Sequence, residues 1–423
     1  MRSWLFLYLF AALTTSSLFA CISRSGALPP VLVVLAVAGL WAVRPHLAKE
    51  SSPSVRRPRL DPASLGIGFL VAAPVICLLI MTWNQEFPFV GDHDYHLIRM
   101  HNAYDFWGRY WWMALGGALV LWRARKSRWL PGATLAVLFI FMAWARTHST
   151  GAELRFAIRY PGNSYFFALP IYFIARVAHW DAPLNALRLS HALSILAWLF
   201  FLRPRFVGKK PDLSVLPFAF FFFFQKDFVY YFTTSYLEPW AAVLILTAAE
   251  RLLVLGSRES WKTFLLVGLA AVTKEQAILI FPFVFLAAYP WRGPRAERLR
   301  TWFAGLTAVF PFVMYFIARK FAGIWRTAGL AAAKDIFNLP RVKTFAGFML
   351  LQFGPAGIFV FAGILACGVY TAWKSPKYRR ATIALMAAGL FQEVFFYTDR
   401  ISIDWTGYPR FRLLASILMA APL

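Results

Sequence analysis

The sequence predicts an all-α, polytopic membrane bundle, and three observations carry that prediction. Hydrophobic residues fill 60% of the 423 positions and aromatic residues 18%, with a mean hydropathy of +0.58. A soluble domain of this size has no interior large enough for so much apolar surface. Apolar runs recur at lengths approaching the ~20 residues that cross ~30 Å of hydrocarbon. The formal net charge of +25 comes in short clusters between those runs. A nucleic-acid binder would instead gather it on one folded face.

In chain order the runs lie near 4–22, 29–43, 64–83, 186–202, 213–232, 237–255, 261–273, 276–290, 302–320, 346–372, 381–397 and 409–423. Shorter runs at 111–122 and 131–146 read as a hairpin. The expected bundle has about 12 to 14 spans, with amphipathic helices in its external loops. Arg2 precedes the first run, and Leu18-Phe19-Ala20-Cys21 faintly resembles a lipoprotein cleavage site. Phe19 suits such a site poorly and another apolar run follows, so a retained helix is expected. Residues 1–63 are therefore assigned to an extra N-terminal helical hairpin and a basic cytoplasmic loop. Residues 64–423 are assigned to the main transmembrane domain. Cys21, Cys77 and Cys367 all sit inside apolar runs and read as packing residues, not as a disulfide or metal set.

Charge sorts the loops. Basic clusters occur at Arg44 to Arg59, Arg123 to Arg128, Arg203 to Lys210, Arg251 to Lys262, Arg292 to Arg300 and Lys374 to Arg380. Threading the runs through a bilayer in order puts them all on one side, which the positive-inside rule makes cytoplasmic. The opposite side receives Asp92, Asp94, Glu153, Arg159, Lys226, Asp227, Glu238, Lys274, Glu275, Lys334, Asp335, Asp399, Arg400, Asp404 and Arg410. Singly, each reads as an ordinary loop charge. Together they mark a candidate substrate path, because ionisable groups are costly to hold near lipid.

The densest group is "FVGDHDYHLIRMH" at 89–101. This segment, after an apolar helix, resembles the acidic first external loop of the GT-C superfamily of integral-membrane glycosyltransferases, the clan of protein O-mannosyltransferases and aminoarabinose transferases. Other stretches are similar in series: "RYPGNSYFFALPIYFIARVAHWDAPLNALRLSHALSILAWLFF" at 159–201, "YYFTTSYLEPWAAVLIL" at 230–246, "LLVGLAAVTKEQAILIFPFVFL" at 265–286 and "GYPRFRLLASILMAAPL" at 407–423. The resemblance spans most of 64–423 in the right order. Three departures stand against it. Two apolar runs precede the presumed first core helix, and the 111–146 hairpin interrupts the first external loop. The sequence also ends partway into its last helix, which is why truncation at the C-terminus is expected.

The resemblance implies transfer of a sugar from a polyprenyl-phosphate donor to an acceptor hydroxyl or phosphate at the outer, periplasmic face of a bacterial-type plasma membrane. Such a reaction needs a carboxylate to take the acceptor's proton and cations to stabilise the departing phosphate. Asp92 occupies the first-acid position as general base. Asp94 matches the second acid and could share or orient that role, a helix N-terminal acid being its plain structural alternative. Paired carboxylates tend to raise one pKa, which suits a base.

His96 is expected to contact the sugar or the phosphate, with His93 and His101 interfacial. No metal or other cofactor is required. Were a divalent cation used, Asp92, Asp94 and His96 would hold it, but His96 and His101 diverge on a helical wheel. Lys274, in the "TKE" turn, is the leading phosphate ligand, with Glu275 as a second donor-site residue or simply its ion-pair partner. Arg410 suits bidentate phosphate contact or interfacial snorkelling. Glu238, before Pro239, is either a donor-site acid or a helix-dipole acid. Expected partners are the lipid-linked donor, a lipid, glycan or protein acceptor, and membrane lipids, with no nucleic acid. The competing classes are a transporter and a polysaccharide polymerase or ligase.

Overall fold

A computed structural model describes residues 61–83, 183–215, 238–257, 259–321 and 362–397, with the single positions 112, 116, 119, 171, 174, 418 and 421. Every regular element among the described residues is helical. The helix α1 spans Pro62–Thr82. Asp61 caps it, accepting the Ser64 N–H at 2.8 Å, and Pro62 takes the first position, where a missing N–H costs nothing. Pro74 removes one internal donor without ending the helix.

A second rod begins with α2, Pro183–Ala197, and continues through a π-helical segment, Trp198–Val207. Pro204 lies inside that segment and has no N–H to give, a defect that the wider turn accommodates. Gly208 closes the rod in the left-handed conformation, its N–H donating to the Arg203 carbonyl at 3.1 Å. Both α1 and the continuous stretch Leu184–Val207 are long and apolar enough to cross a membrane.

Helix α3, Glu238–Leu255, is the centre of the bundle. Its residues from Glu238 to Ala249 are all buried, as are Arg251 and Leu252, so no side of it over that length faces outward. It packs against α2 and the π segment, against α4 (Ser260–Thr273) and against α7 (Pro376–Tyr397). After α4 the chain makes a short 3₁₀ turn, Glu275–Ile280, and continues as α5, Phe281–Ala288. Helix α6, Arg295–Phe321, lies along α4. It starts earlier than its apolar run at 302–320 because Arg295, Glu297, Arg298 and Arg300 form a charged first turn and a half, beyond the apolar surface.

The helices alternate in direction, and the contacts between their tips prove it. At one end Asp61 pairs with Lys210, Arg203 meets Glu250 and Asp212, and Arg251 donates to the Phe206 carbonyl. Arg380, at the start of α7, reaches the Tyr289 carbonyl after α5 at 3.2 Å. At the other end Arg188 donates to the Thr82 carbonyl, Lys274 meets Glu238, and Gln392 donates to the Gln276 carbonyl at 3.1 Å. The basic clusters at 203–210, 251–262, 292–300 and 374–380 therefore share one end, the basic end. The clusters at 44–59 and 123–128 lie outside the described residues, as do most of the runs at 4–43, 111–146, 213–232 and 346–361.

Parts of the outward surface are strongly apolar. Phe69, Leu70, Ile80 and Met81 of α1 are each more than half exposed, and Val369 is 70% exposed. Cys77 and Cys367 stand on this outer surface, which corrects the expectation that they pack inside; their apolar surroundings in sequence belong to exposed helix faces. Close packing is found where α4, α5 and α6 meet. Gly305 of α6 faces α5, where an added Cβ would come within 2.8 Å of the Phe285 ring. Phe285 stacks on Phe264 at 5.6 Å and meets Trp302 edge-on at 5.1 Å.

Candidate functional site

The end of the bundle opposite the basic clusters carries a buried ion pair. Glu238 begins α3 and Lys274 follows the last residue of α4, so antiparallel packing of the two helices brings the residues together. Lys274 Nζ lies 2.6 Å from Glu238 Oε1, with the side chains 5% and 0% exposed. The backbone of Lys274 is extended (φ −143°, ψ 113°), which turns its side chain out of the helical path and across to α3. Neither Glu238 oxygen makes an aligned hydrogen bond among the described residues, so the pair is held by Coulomb attraction more than by a directed bond. In a low-dielectric interior that attraction is strong, and so is the penalty for leaving either charge alone.

The pair is flanked by amides. Gln276 sits in the 3₁₀ turn just past Lys274, and Gln392 of α7 donates to its carbonyl. That hydrogen bond fixes the Gln392 amide so that Oε1 points away from it. The Oε1 atoms of both glutamines are buried without donors among the described residues.

Sequence reading missed a second feature of this end. The run at 186–202 was read simply as apolar, yet Asn185, Arg188, Ser190, His191 and Ser194 of α2 are all buried. Ser190 Oγ accepts the Trp240 indole N–H at 2.9 Å, tying α2 to the first turn of α3. Ser194 Oγ donates to the His191 carbonyl at 2.6 Å. The detectable signal was Asn185, Arg188, His191 and Ser194 at a spacing of three, a polar stripe on one side of an otherwise greasy helix.

At the basic end, the charges first read as topological markers prove partly structural. Arg203 and Arg251 are 2% and 0% exposed. Arg203 Nε donates to Glu250 at 2.7 Å and its terminal nitrogens reach Asp212 at 3.4 Å. Arg251 and Lys262 converge on Glu259, which sits in the left-handed backbone region at φ 48°. Burial alone would raise the Glu259 carboxyl, but Lys262 and Arg251 bring it below its ordinary value of 4.5. Asp61, hydrogen-bonded by Lys210 and by Ser64, is held well below the usual carboxylate range.

Of the expected site residues, the structure brings together Glu238 and Lys274. Glu275 opens the 3₁₀ turn beside them, but its side chain lies outside the described residues. Asp92, Asp94, His93, His96, His101 and Arg410 all lie outside the described residues. So does the Asp92, Asp94 and His96 set considered for a divalent cation. Among the described residues no group of His, Cys, Asp or Glu is placed to hold a metal.

The chain matches no protein-family model, no curated protein and no solved structure.

Proposed function

We propose that the chain is a multi-pass membrane glycosyltransferase. It moves a sugar from a polyprenyl-phosphate donor to an acceptor at the outer face, with inversion, and Asp92 is its general base. The observation that carries this reading is the division of charge between the bundle's ends. Arginine- and lysine-rich turns gather at one end, the side that the positive-inside rule assigns to the cytoplasm. The buried Glu238–Lys274 pair lies at the other, where α1 ends at Thr82. Exposed apolar faces on α1 and at 362–374 support a lipid setting.

The chemistry follows from the donor. A polyprenyl chain lies between helices while its sugar stands at the surface, so the donor enters from the side. The acceptor oxygen attacks the anomeric carbon from the face opposite the phosphate, and its proton passes to Asp92. The bond from the anomeric carbon to the phosphate oxygen breaks, and the electron pair leaves on polyprenyl phosphate. Asp94 orients the base, His96 contacts the sugar or phosphate, and Arg410 and Lys274 offset the phosphate charge. In the described conformation Lys274 already has an anion in Glu238. A donor phosphate reaches it by exchange, as the end of the bundle opens.

Vesicles containing the full chain and a polyprenyl-phosphate sugar test this. Consumption of donor is expected, with a loss of about 10²–10⁴-fold in Asp92→Asn. A well-folded, fully active Asp92→Asn protein refutes the base. Movement of a solute across the sealed vesicle without donor consumption replaces the reading with a transporter.

A further inference from the structure

Among the described residues, the clusters at the basic end differ in the acids beside them. Around 203–212 and 250–262 several cations form ion pairs: Arg203 with Glu250 and Asp212, Arg251 and Lys262 with Glu259, Lys210 with Asp61. Around the turns 289–300 and 374–380 none does. Arg292, Arg295, Arg298, Lys374, Lys377, Arg379 and Arg380 are exposed. No salt bridge among the described residues involves any of them, and Glu297 is the one acid between 289 and 300.

These two turns are neighbours, because Arg380 donates to the Tyr289 carbonyl. Arg379 caps the preceding helix through the Ala372 and Trp373 carbonyls, at 2.9 and 3.3 Å. Its charge is thereby fixed in place without being cancelled. A continuous aromatic path leads away from the cations along the outer surface. Trp302 touches Phe285, Phe285 touches Tyr289, and Tyr289 meets Trp291 edge-on at 4.9 Å. Trp291 and Trp302 are half exposed. On the other turn Lys374 lies over the exposed Trp373 ring at 4.9 Å.

Cations without a salt bridge among the described residues, above an exposed aromatic and aliphatic wall, match an anion with an apolar tail. We propose that the turns 289–300 and 374–380 bind the headgroup of an anionic phospholipid, whose acyl chains lie along Trp302, Phe285 and Leu306. Lys374 and Lys377 approach the headgroup from one side and Arg292, Arg295 and Arg298 from the other. The proposal rests on the membrane reading above and is independent of glycosyl transfer.

The test uses the full chain in vesicles of phosphatidylcholine alone or mixed with phosphatidylglycerol, extracted in mild detergent, with co-purifying phospholipid identified by mass spectrometry. Phosphatidylglycerol enrichment is expected. It should fall at least about tenfold in Arg292→Gln/Arg295→Gln/Arg298→Gln and about as much in Lys374→Gln/Lys377→Gln, since each such cation is worth roughly fivefold near a charged surface. Lys209→Gln, a charge loss at the same end, should leave it unchanged. Equal enrichment in all proteins overturns the site. So does complete displacement by inorganic phosphate, which would mark a generic anion site. Retention of an acidic soluble protein in place of lipid overturns it as well. A chain that washes off vesicles in alkaline carbonate sinks the membrane reading itself. An integrated chain without anionic preference sinks the lipid site alone.

Discussion

Lys274 and Glu238 stand at the far ends of two consecutive helices, yet their charged groups meet at 2.6 Å with almost no exposure. Each places an opposite charge against the opposing helix tip, so removing either side chain alone takes that charge partner from a buried group. We predict that Lys274→Met or Glu238→Gln alone lowers stability by about 3–5 kcal/mol. The double variant should recover much of that loss, with thermal unfolding in detergent as the measure. Additive losses would show that the two side chains are not energetically coupled.

Donor use tests the same lysine differently. If Lys274 exchanges Glu238 for a donor phosphate, Lys274→Ala raises the donor KM far more than the acceptor KM. An equal effect on both would leave it a structural residue only.

Glu259 predicts the pH response of the basic end. Its folded pKa lies below the ordinary 4.5, so its ion pairs contribute stability above the unfolded pKa. That contribution disappears as pH falls through the lower folded value. The unfolding temperature should therefore drop on acidification below about 4.5, and the drop should be shallower in Glu259→Gln. Identical slopes would count against the assignment.

Gly305 predicts a packing defect. A methyl group there would sit 2.8 Å from the Phe285 ring, too close for both to stay. Gly305→Ala should cost about 1–3 kcal/mol by overpacking. Pairing it with Phe285→Leu should restore part of the loss, read from the same unfolding curves.

Helix existence was legible because apolar length is a one-dimensional property. The runs at 64–83, 186–202, 237–255, 261–273, 276–290 and 381–397 each overlap a helix, an α–π rod at 186–202 or a 3₁₀–α pair at 276–290. That the basic clusters at 203–210, 251–262, 292–300 and 374–380 share one end was legible from the spacing of arginines and lysines. The π-helical turn at Pro204 was not, since a proline in an apolar run reads equally as a kink or an end. The meeting of Lys274 with Glu238 was not legible either, because antiparallel packing delivers Glu238 from the previous helix. The buried roles of Arg203 and Arg251 were hidden because a charge count cannot distinguish a cation facing water from one aimed at Glu250 or Glu259.

On the proposed multi-pass reading, the burial of α3 has a consequence for how the chain is assembled in a bilayer. Its apolar stretch is bracketed by Glu238 and Arg251, and both neutralising partners, Lys274 and Glu259, are supplied by residues synthesised afterwards. A nascent α3 entering alone would carry Glu238 and Arg251 without Lys274 and Glu259 beside them. Entering with α4 as one hairpin, it brings both of these partners along. Ribosome-bound chains ending after Leu255 should remain extractable by alkali, and those extended past Lys274 should not, making the pair the smallest unit that the insertion machinery can release.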